Sequence, residues 1–281
     1  MAWYNAAVLL KIADKMATLR KKKAMRKTIV AFVALGASAA GGQTPSVELT
    51  AGNAEVLVAP NAPAATMFAA GEMTNFLSRA FGASVPLVTS PTDGRVSIVV
   101  GTNEWSVAAH VNPAGLKRDG FVIKVDAGAG RVYVAGCDDP KFDMGRFVSS
   151  RAPDAWGRNA YERASTFAVY DFLERFVGCR FYFPGDIGTI VPRRESVAMP
   201  ETEISSEPDW RCRIVFTAEF GEWPDSLPKG EVHRRMHLEQ LRLRSQTESF
   251  NSCHGQYRMN MARRFGKTHP EYFTMKADGT R

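Results

Sequence analysis

The 281-residue sequence is poor in cysteine and in long apolar runs, and each shortage removes a class of function. Its four cysteines, Cys137, Cys179, Cys212 and Cys253, lie far apart and form no C-x-x-C pair. That spacing excludes a zinc ribbon or a thioredoxin-type site. Isolated among mostly apolar neighbours, they read as core thiols. No apolar run approaches the ~20 residues that a membrane span needs. His233 and His237 have the i, i+4 spacing of helical metal ligands, but Arg234, Arg235 and Met236 stand between them, without the Glu of an H-E-x-x-H motif. A solvated basic helix face is the expectation there, and no metal is expected. Gly128-Ala129-Gly130 is followed by a strand pattern instead of a helix, so it is no nucleotide loop. No cofactor is expected.

Charge of one sign is also missing from most of the chain. The net charge is +7. Up to Ala39 there are eight basic residues, among them Arg20, Lys21, Lys22, Lys23, Arg26 and Lys27, against the single acid Asp14, so the whole excess sits there. The remainder is neutral and lacks the footprint of a phosphate-backbone binder, so no nucleic-acid partner is expected. The basic cluster is followed by the apolar run Ile29–Leu35 and then by Gly36, Ala37, Ser38, Ala39 and Ala40. Charged region, short apolar region and A-x-A site form a secretory signal over 1–39, which predicts a secreted or periplasmic protein with no membrane attachment after cleavage. Met25, directly before Arg26-Lys27, is a plausible true start.

The exported part is long enough for one large or two small domains. Glu55–Ala59 and Arg95–Val100 read as strands. Ala64–Phe81 reads as a helix with Ala65, Phe68, Ala69, Met73, Phe76, Leu77 and Ala80 on one face, stopped by Gly82. Gly120–Asp126 and Arg131–Ala135 alternate across the Ala127–Gly130 turn and predict a hairpin. Cys137–Arg158 has little periodicity and reads as a long loop. Tyr161–Val177, apolar almost all round, predicts a buried helix ending at Gly178. Pro200–Pro208 is acidic and proline-bounded and reads as a linker. Arg213–Thr217 is then a strand candidate and Glu231–Leu243 a helix candidate, the order in which a (β/α) barrel begins.

Three passages resemble a known family. They are Tyr170-Asp171-Phe172-Leu173-Glu174 running into Gly178-Cys179-Arg180-Phe181-Tyr182-Phe183-Pro184-Gly185; Pro208-Asp209-Trp210-Arg211-Cys212-Arg213; and His269-Pro270-Glu271-Tyr272-Phe273 with Asp278-Gly279-Thr280-Arg281. The sequence looks like the exported bacterial group known as domain of unknown function 4838, which is glycoside-hydrolase-like. Its front end is similar to the small α/β domain before the barrel of family 67 α-glucuronidases and family 20 β-hexosaminidases. The resemblance implies an α/β fold: an α+β front domain over 47–199 with helices packed on a mixed sheet, a linker over 200–209, and over 210–281 the beginning of a (β/α)8 barrel that the chain does not finish. It implies a glycan partner and carbohydrate degradation by the complete protein, with this chain as its non-catalytic front part. A carbohydrate-binding or purely structural accessory domain is the alternative.

The resemblance also supplies site candidates. The related hexosaminidases place an Arg at the start of the barrel to hold sugar hydroxyls, which points to Arg213 and then Arg211. A guanidinium suits that task because its donors form a rigid fork; the alternative is a structural salt bridge across the domain boundary. Asn251 and His254 lie where a second barrel strand would end, and an imidazole there can bind a hydroxyl or move a proton, or simply be a satisfied structural histidine. Cys253 beside His254 is no nucleophilic pair, because neighbours on a strand point to opposite faces. Glu219, Glu222 and Asp225 follow the first barrel-like strand and are possible site acids. Glu271 is either a cleft acid or part of a packing motif with Tyr272 and Phe273. Burial of Trp105, Trp156, Trp210 and Trp223 would favour pure structure over binding.

Overall fold

A computed structural model describes residues 44–149, 162–213, 228–245 and 259–279. The secretory-signal reading of 1–39 therefore falls outside the described residues. The α/β expectation holds. The centre is a six-stranded mixed sheet in the order β10-β5-β6-β4-β2-β3. Its strands are β2 (Ala54–Leu57), β3 (Leu87–Val88), β4 (Val96–Val100), β5 (Phe121–Asp126), β6 (Arg131–Gly136) and β10 (Thr202–Ser206). β2, β3, β4 and β6 run parallel, whereas β5 pairs antiparallel with both β6 and β10. Beside it, β1 (Ser46–Thr50) and β9 (Ser196–Pro200) form an antiparallel pair, with Ser46 opposite Pro200.

Alternation decides which way each strand faces. Ala54, Val56, Ile98, Val100, Phe121, Ile123, Val125, Val132 and Val134 point to one face and pack on helix α1 (Ala64–Phe81) and helix α4 (Ala164–Phe172). Leu57, Val99, Val122, Tyr133 and Ala135 form a smaller core on the other face, covered by Trp105 and Ala109 around helix α2 (Glu104–Ala108). α1 buries the face read from its spacing and ends at Gly82, whose φ of 70° only glycine adopts without strain. α4 is buried on all sides, as its all-round apolarity predicts, and continues as a π-helical turn, Leu173–Val177, up to Gly178.

Two expectations change. The Cys137–Arg158 stretch is not all loop, since Met144–Ser149 is a short helix, α3, with Phe142, Met144 and Phe147 buried. The stretch 200–209 is not an unstructured linker; Thr202–Ser206 is an edge strand that pairs with β5. Ile204 is its one aliphatic residue, so backbone pairing, which leaves no side-chain pattern, holds it. By contacts, Pro45–Arg281 forms one unit. After 208, Lys229–Arg242 is helix α5, as read. The strand candidate runs mostly through 214–217, outside the described residues. Two short strands, β7 (Arg180–Phe181) and β8 (Thr189–Ile190), form a hairpin; Met261–Phe265 is helix α6.

Candidate functional site

The segment after Pro208 is held on the sheet layer by arginines, and the first of these ties builds the candidate site. Arg213 donates from Nη2 to Asp119 Oδ2 at 3.1 Å, from Nη1 to the Trp210 carbonyl at 2.7 Å, and from Nε to the Arg244 carbonyl at 3.1 Å. Its guanidinium lies over the Phe167 ring, 6.0 Å from the centroid. Asp119 sits in the turn before β5 with φ of +64°, a left-handed conformation that costs a non-glycine residue about 1 kcal/mol or more. Its carboxyl is buried, and Oδ1 has no hydrogen-bond partner. A buried acceptor left unmade costs roughly 1–3 kcal/mol, so Asp119 combines two unfavourable features at one residue.

Around this pair opens a cleft of about 250 Å³, lined by Asp119, Phe121, Phe167, Asp171, Glu207, Arg213 and Arg244 among others. Its carboxylates have cationic neighbours. Asp171 accepts from Arg175 at 3.0 Å, and Glu207 pairs with Lys117 at 2.8 Å. Hydrogen bonds from Lys117 hold the Glu207 carboxyl below its ordinary range, which suits it to accepting hydrogen bonds and not to giving up a proton. Arg244 pairs with Glu174 of the π-turn. Behind the cleft, Arg163 is fully buried over the rings of Phe142, Phe147 and Phe167, at 5.3, 5.1 and 5.5 Å. Burial lowers its pKa to about 10, so it stays charged at neutral pH. Acceptors, a guanidinium and flat rings can bind a hydroxylated ring.

A second tie lies along α5. Arg242 packs between the rings of Phe76 and Phe181, at 5.2 and 5.5 Å, and reaches Glu72 at 3.4 Å. Glu72 also accepts from the Tyr170 hydroxyl at 2.9 Å. Tyr170 and Phe181 of the first resemblance passage thus stand around Glu72 and Arg242, and Arg213 of the second bonds Asp119.

The expected site residues separate. Arg213 is in the cleft wall. Arg211 is exposed and does not line it. Asn251, Cys253, His254, Glu219, Glu222 and Asp225 lie outside the described residues, as do Trp156 and Trp223. His237 is buried, its ring 5.1 Å from that of Phe147, so it does not share the solvated basic face expected of this run, on which Arg234 is exposed. Among the described residues no group of His, Cys, Asp and Glu could hold a metal ion. His269 bonds Glu271 at 2.9 Å and stacks on Tyr272 at 4.7 Å, so this passage forms an exposed turn of its own, outside the cleft. Trp105 is half-buried in the second core and Trp210 is 76% exposed beside Arg213. The sequence reading missed Asp119, Glu207 and Arg244. Lys117-Arg118-Asp119-Gly120 looks like any polar turn, and only the fold brings it to Arg213.

The sequence matches no family model and no curated protein. Among solved structures, the chain is similar to a family GH115 4-O-methyl-α-glucuronidase with specificity for decorated arabinogalactans, at 14% identity and a TM-score of 0.43. The match covers 71% of this chain and 25% of that enzyme, so the chain spans about a quarter of the enzyme's length. What the cleft can do is therefore read from its own residues. Among the described residues no helix is long and apolar enough to cross a membrane.

Proposed function

We propose that this chain is the front part of an exported, glycoside-hydrolase-like protein that acts in carbohydrate degradation. In this reading residues 1–39 direct export, the sheet layer is non-catalytic support, and 210–281 begins a (β/α) barrel. The observation that carries it concerns Arg213. This residue comes from the Pro208–Arg213 passage of the family resemblance, and it lies in the wall of a cleft lined by carboxylates and aromatic rings. A cleft of about 250 Å³ is just below the ~300–1,000 Å³ of pockets for drug-sized ligands, so it suits a single small ring. Carboxylate acceptors match sugar hydroxyls, and Phe121 and Phe167 add apolar lining. The test is to express the full-length gene product and screen it for binding and turnover on a broad set of sugar conjugates. Turnover by the whole protein and binding weakened by Asp119→Asn are expected. Neither binding nor turnover across the set would overturn the reading.

One observation favours a second reading, an accessory domain that binds or merely supports. All three guanidinium nitrogens of Arg213 are already engaged by Asp119, Trp210 and Arg244. In that case the 281-residue chain either binds glycans on an array without cleaving them or binds none.

A further inference from the structure

A second crevice lies at the carboxyl ends of β4 and β6, the same end of the sheet as Asp119, since Phe121 opens β5 opposite Gly136, but its lining shares no residue with the cleft at Arg213. α1 leaves β2 toward one face of the sheet and α2 leaves β4 toward the other, although β2 and β4 are adjacent and parallel. Where neighbouring parallel strands send their helices to opposite faces, a gap opens beyond the strand ends, and open α/β sheets bind ligands there. Here the gap is about 250 Å³ and is lined by Pro63, Thr66, Thr102, Asn112, Pro113 and Asp138 among others.

Two glycines set its shape. A Cβ on Gly101, which has φ of +84°, would lie 2.3 Å from Thr66 Cγ2, and one on Gly136 would lie 2.4 Å from the Ala164 backbone. Only glycine at these points lets the first turns of α1 and α4 close over the strand ends. The Asp138 carboxylate is fixed between those turns, accepting from the Thr66 hydroxyl and, at 3.0 Å, from the Ser165 amide. Burial raises the pKa of this carboxyl, and the bonds from Thr66 and Ser165 oppose that rise; ionised, it occupies the place where helix N-termini would attract an anion. A second anion would be repelled.

The remaining groups are neutral and mixed. Asn112 Oδ1 is taken by the Ala114 amide at 3.0 Å, and its exposed Nδ2 is left as a donor. Thr102, also exposed, donates its hydroxyl to the Gly136 carbonyl at 3.4 Å and keeps its acceptor capacity; Asp138 has acceptor capacity beyond its two bonds. Pro63 and Pro113 supply apolar surface. One donor and two acceptors beside an apolar floor fit adjacent hydroxyls on an uncharged ring. We infer that the crevice between Asn112, Thr102 and Asp138 is a subsite for a neutral sugar or polyol and discriminates against acidic ones. This rests on the glycan reading above and places a second contact at a site separate from Arg213.

The experiment is ligand-observed saturation-transfer NMR on the 281-residue chain, titrating methyl α-glucopyranoside, methyl β-galactopyranoside, glucuronate and inorganic phosphate. Asn112→Ala and Thr102→Val change exposed side chains, and thermal melts confirm that they fold. A neutral glycoside is expected to bind, and either change is expected to weaken its binding at this crevice about 3- to 10-fold, the loss of one neutral hydrogen bond, in the Asp119→Asn background as in the parent chain. If the neutral glycoside binds equally well to both variants but is lost with Asp119→Asn, this inference falls and the glycan reading stands. Glucuronate or phosphate binding here as tightly as the neutral glycosides overturns the proposed selectivity. If no sugar binds the chain at all, this subsite falls, while turnover by the full-length product still decides the glycan reading separately.

Discussion

Arg213 and Asp119 meet across 94 residues of chain: the arginine that opens the last quarter of the protein is bonded to a strained turn in the sheet layer. Truncating Arg213 leaves Asp119 buried and uncompensated. Arg213→Ala should cost roughly 3 kcal/mol of stability, because breaking a buried pair is worse than never having it. The double variant Arg213→Ala/Asp119→Ala should recover part of that loss. Urea unfolding of the two single variants and the double variant measures the coupling; simple additivity would mean the pair does not join the segments.

Glu239 on α5 gives a pH dependence. It is fully buried, neither carboxyl oxygen has a hydrogen-bond partner, and burial pushes its pKa up to about 7. A carboxyl whose folded pKa is raised holds its proton in the folded state after the unfolded chain has released it. The contribution of Glu239 to stability should therefore be greatest below the ordinary carboxylate range, fall as pH rises, and level off above about 7. The full loss is on the order of 3 kcal/mol, at about 1.4 kcal/mol per pH unit. Glu239→Gln should flatten the slope between pH 5 and 7 and raise stability at pH 8. A slope unchanged in the variant would show that other groups carry it.

Gly101 predicts a compensating pair. Gly101→Ala meets Thr66 Cγ2 and must also hold φ at +84°, so a loss of about 2 kcal/mol or more is expected. Thr66→Ser removes the clashing methyl and keeps the hydroxyl for Asp138. Adding it should recover the steric part and leave the backbone part, as read from the melting temperatures of the three variants.

The cysteines should separate by reactivity. Cys179 is buried and its pKa is raised to about 11, whereas Cys212 is exposed. In the folded protein a thiol reagent should label Cys212 within the first stage of the reaction and spare Cys179 until denaturant is added, with peptide mapping by mass spectrometry as the readout. Early labelling of Cys179 would contradict the packing around Phe181.

Replacing Arg242 by Lys keeps the charge but loses the flat group held between Phe76 and Phe181. A loss of about 1–2 kcal/mol is expected, and the Glu72–Tyr170 bond should survive, since it does not depend on Arg242. Equal stability of the lysine variant would reduce the tie to simple charge.

Side-chain periodicity made the inner strands and the two long helices legible. Ala65, Ala69, Met73, Phe76 and Leu77 recur at helical spacing because one face of α1 is buried, and Phe121, Ile123 and Val125 alternate because β5 has a core side. β10 escaped notice because Thr202, Glu203, Ser205 and Ser206 bury little, and its backbone does the pairing. α3 was hidden in a stretch with too few residues to show a period. At the candidate site Arg213 was legible through the family resemblance. Asp119 was not, since the bond that makes it matter joins residues far apart in sequence and leaves no local mark. His237 misled because spacing along a helix says nothing of what packs against it.

The pairing of β1 with β9 and of β5 with β10 also sets an order of events. Ser46–Thr50 is made early, yet its partner strand is Ser196–Pro200, and the outer edge of β5 is covered only by Thr202–Ser206. A chain emerging from the ribosome must therefore carry a bare strand and a bare sheet edge until about residue 206 is free. During that interval the unfinished edge can pair with another copy, so synthesis that pauses before Ser206 has emerged should favour aggregation more than a pause after it has emerged.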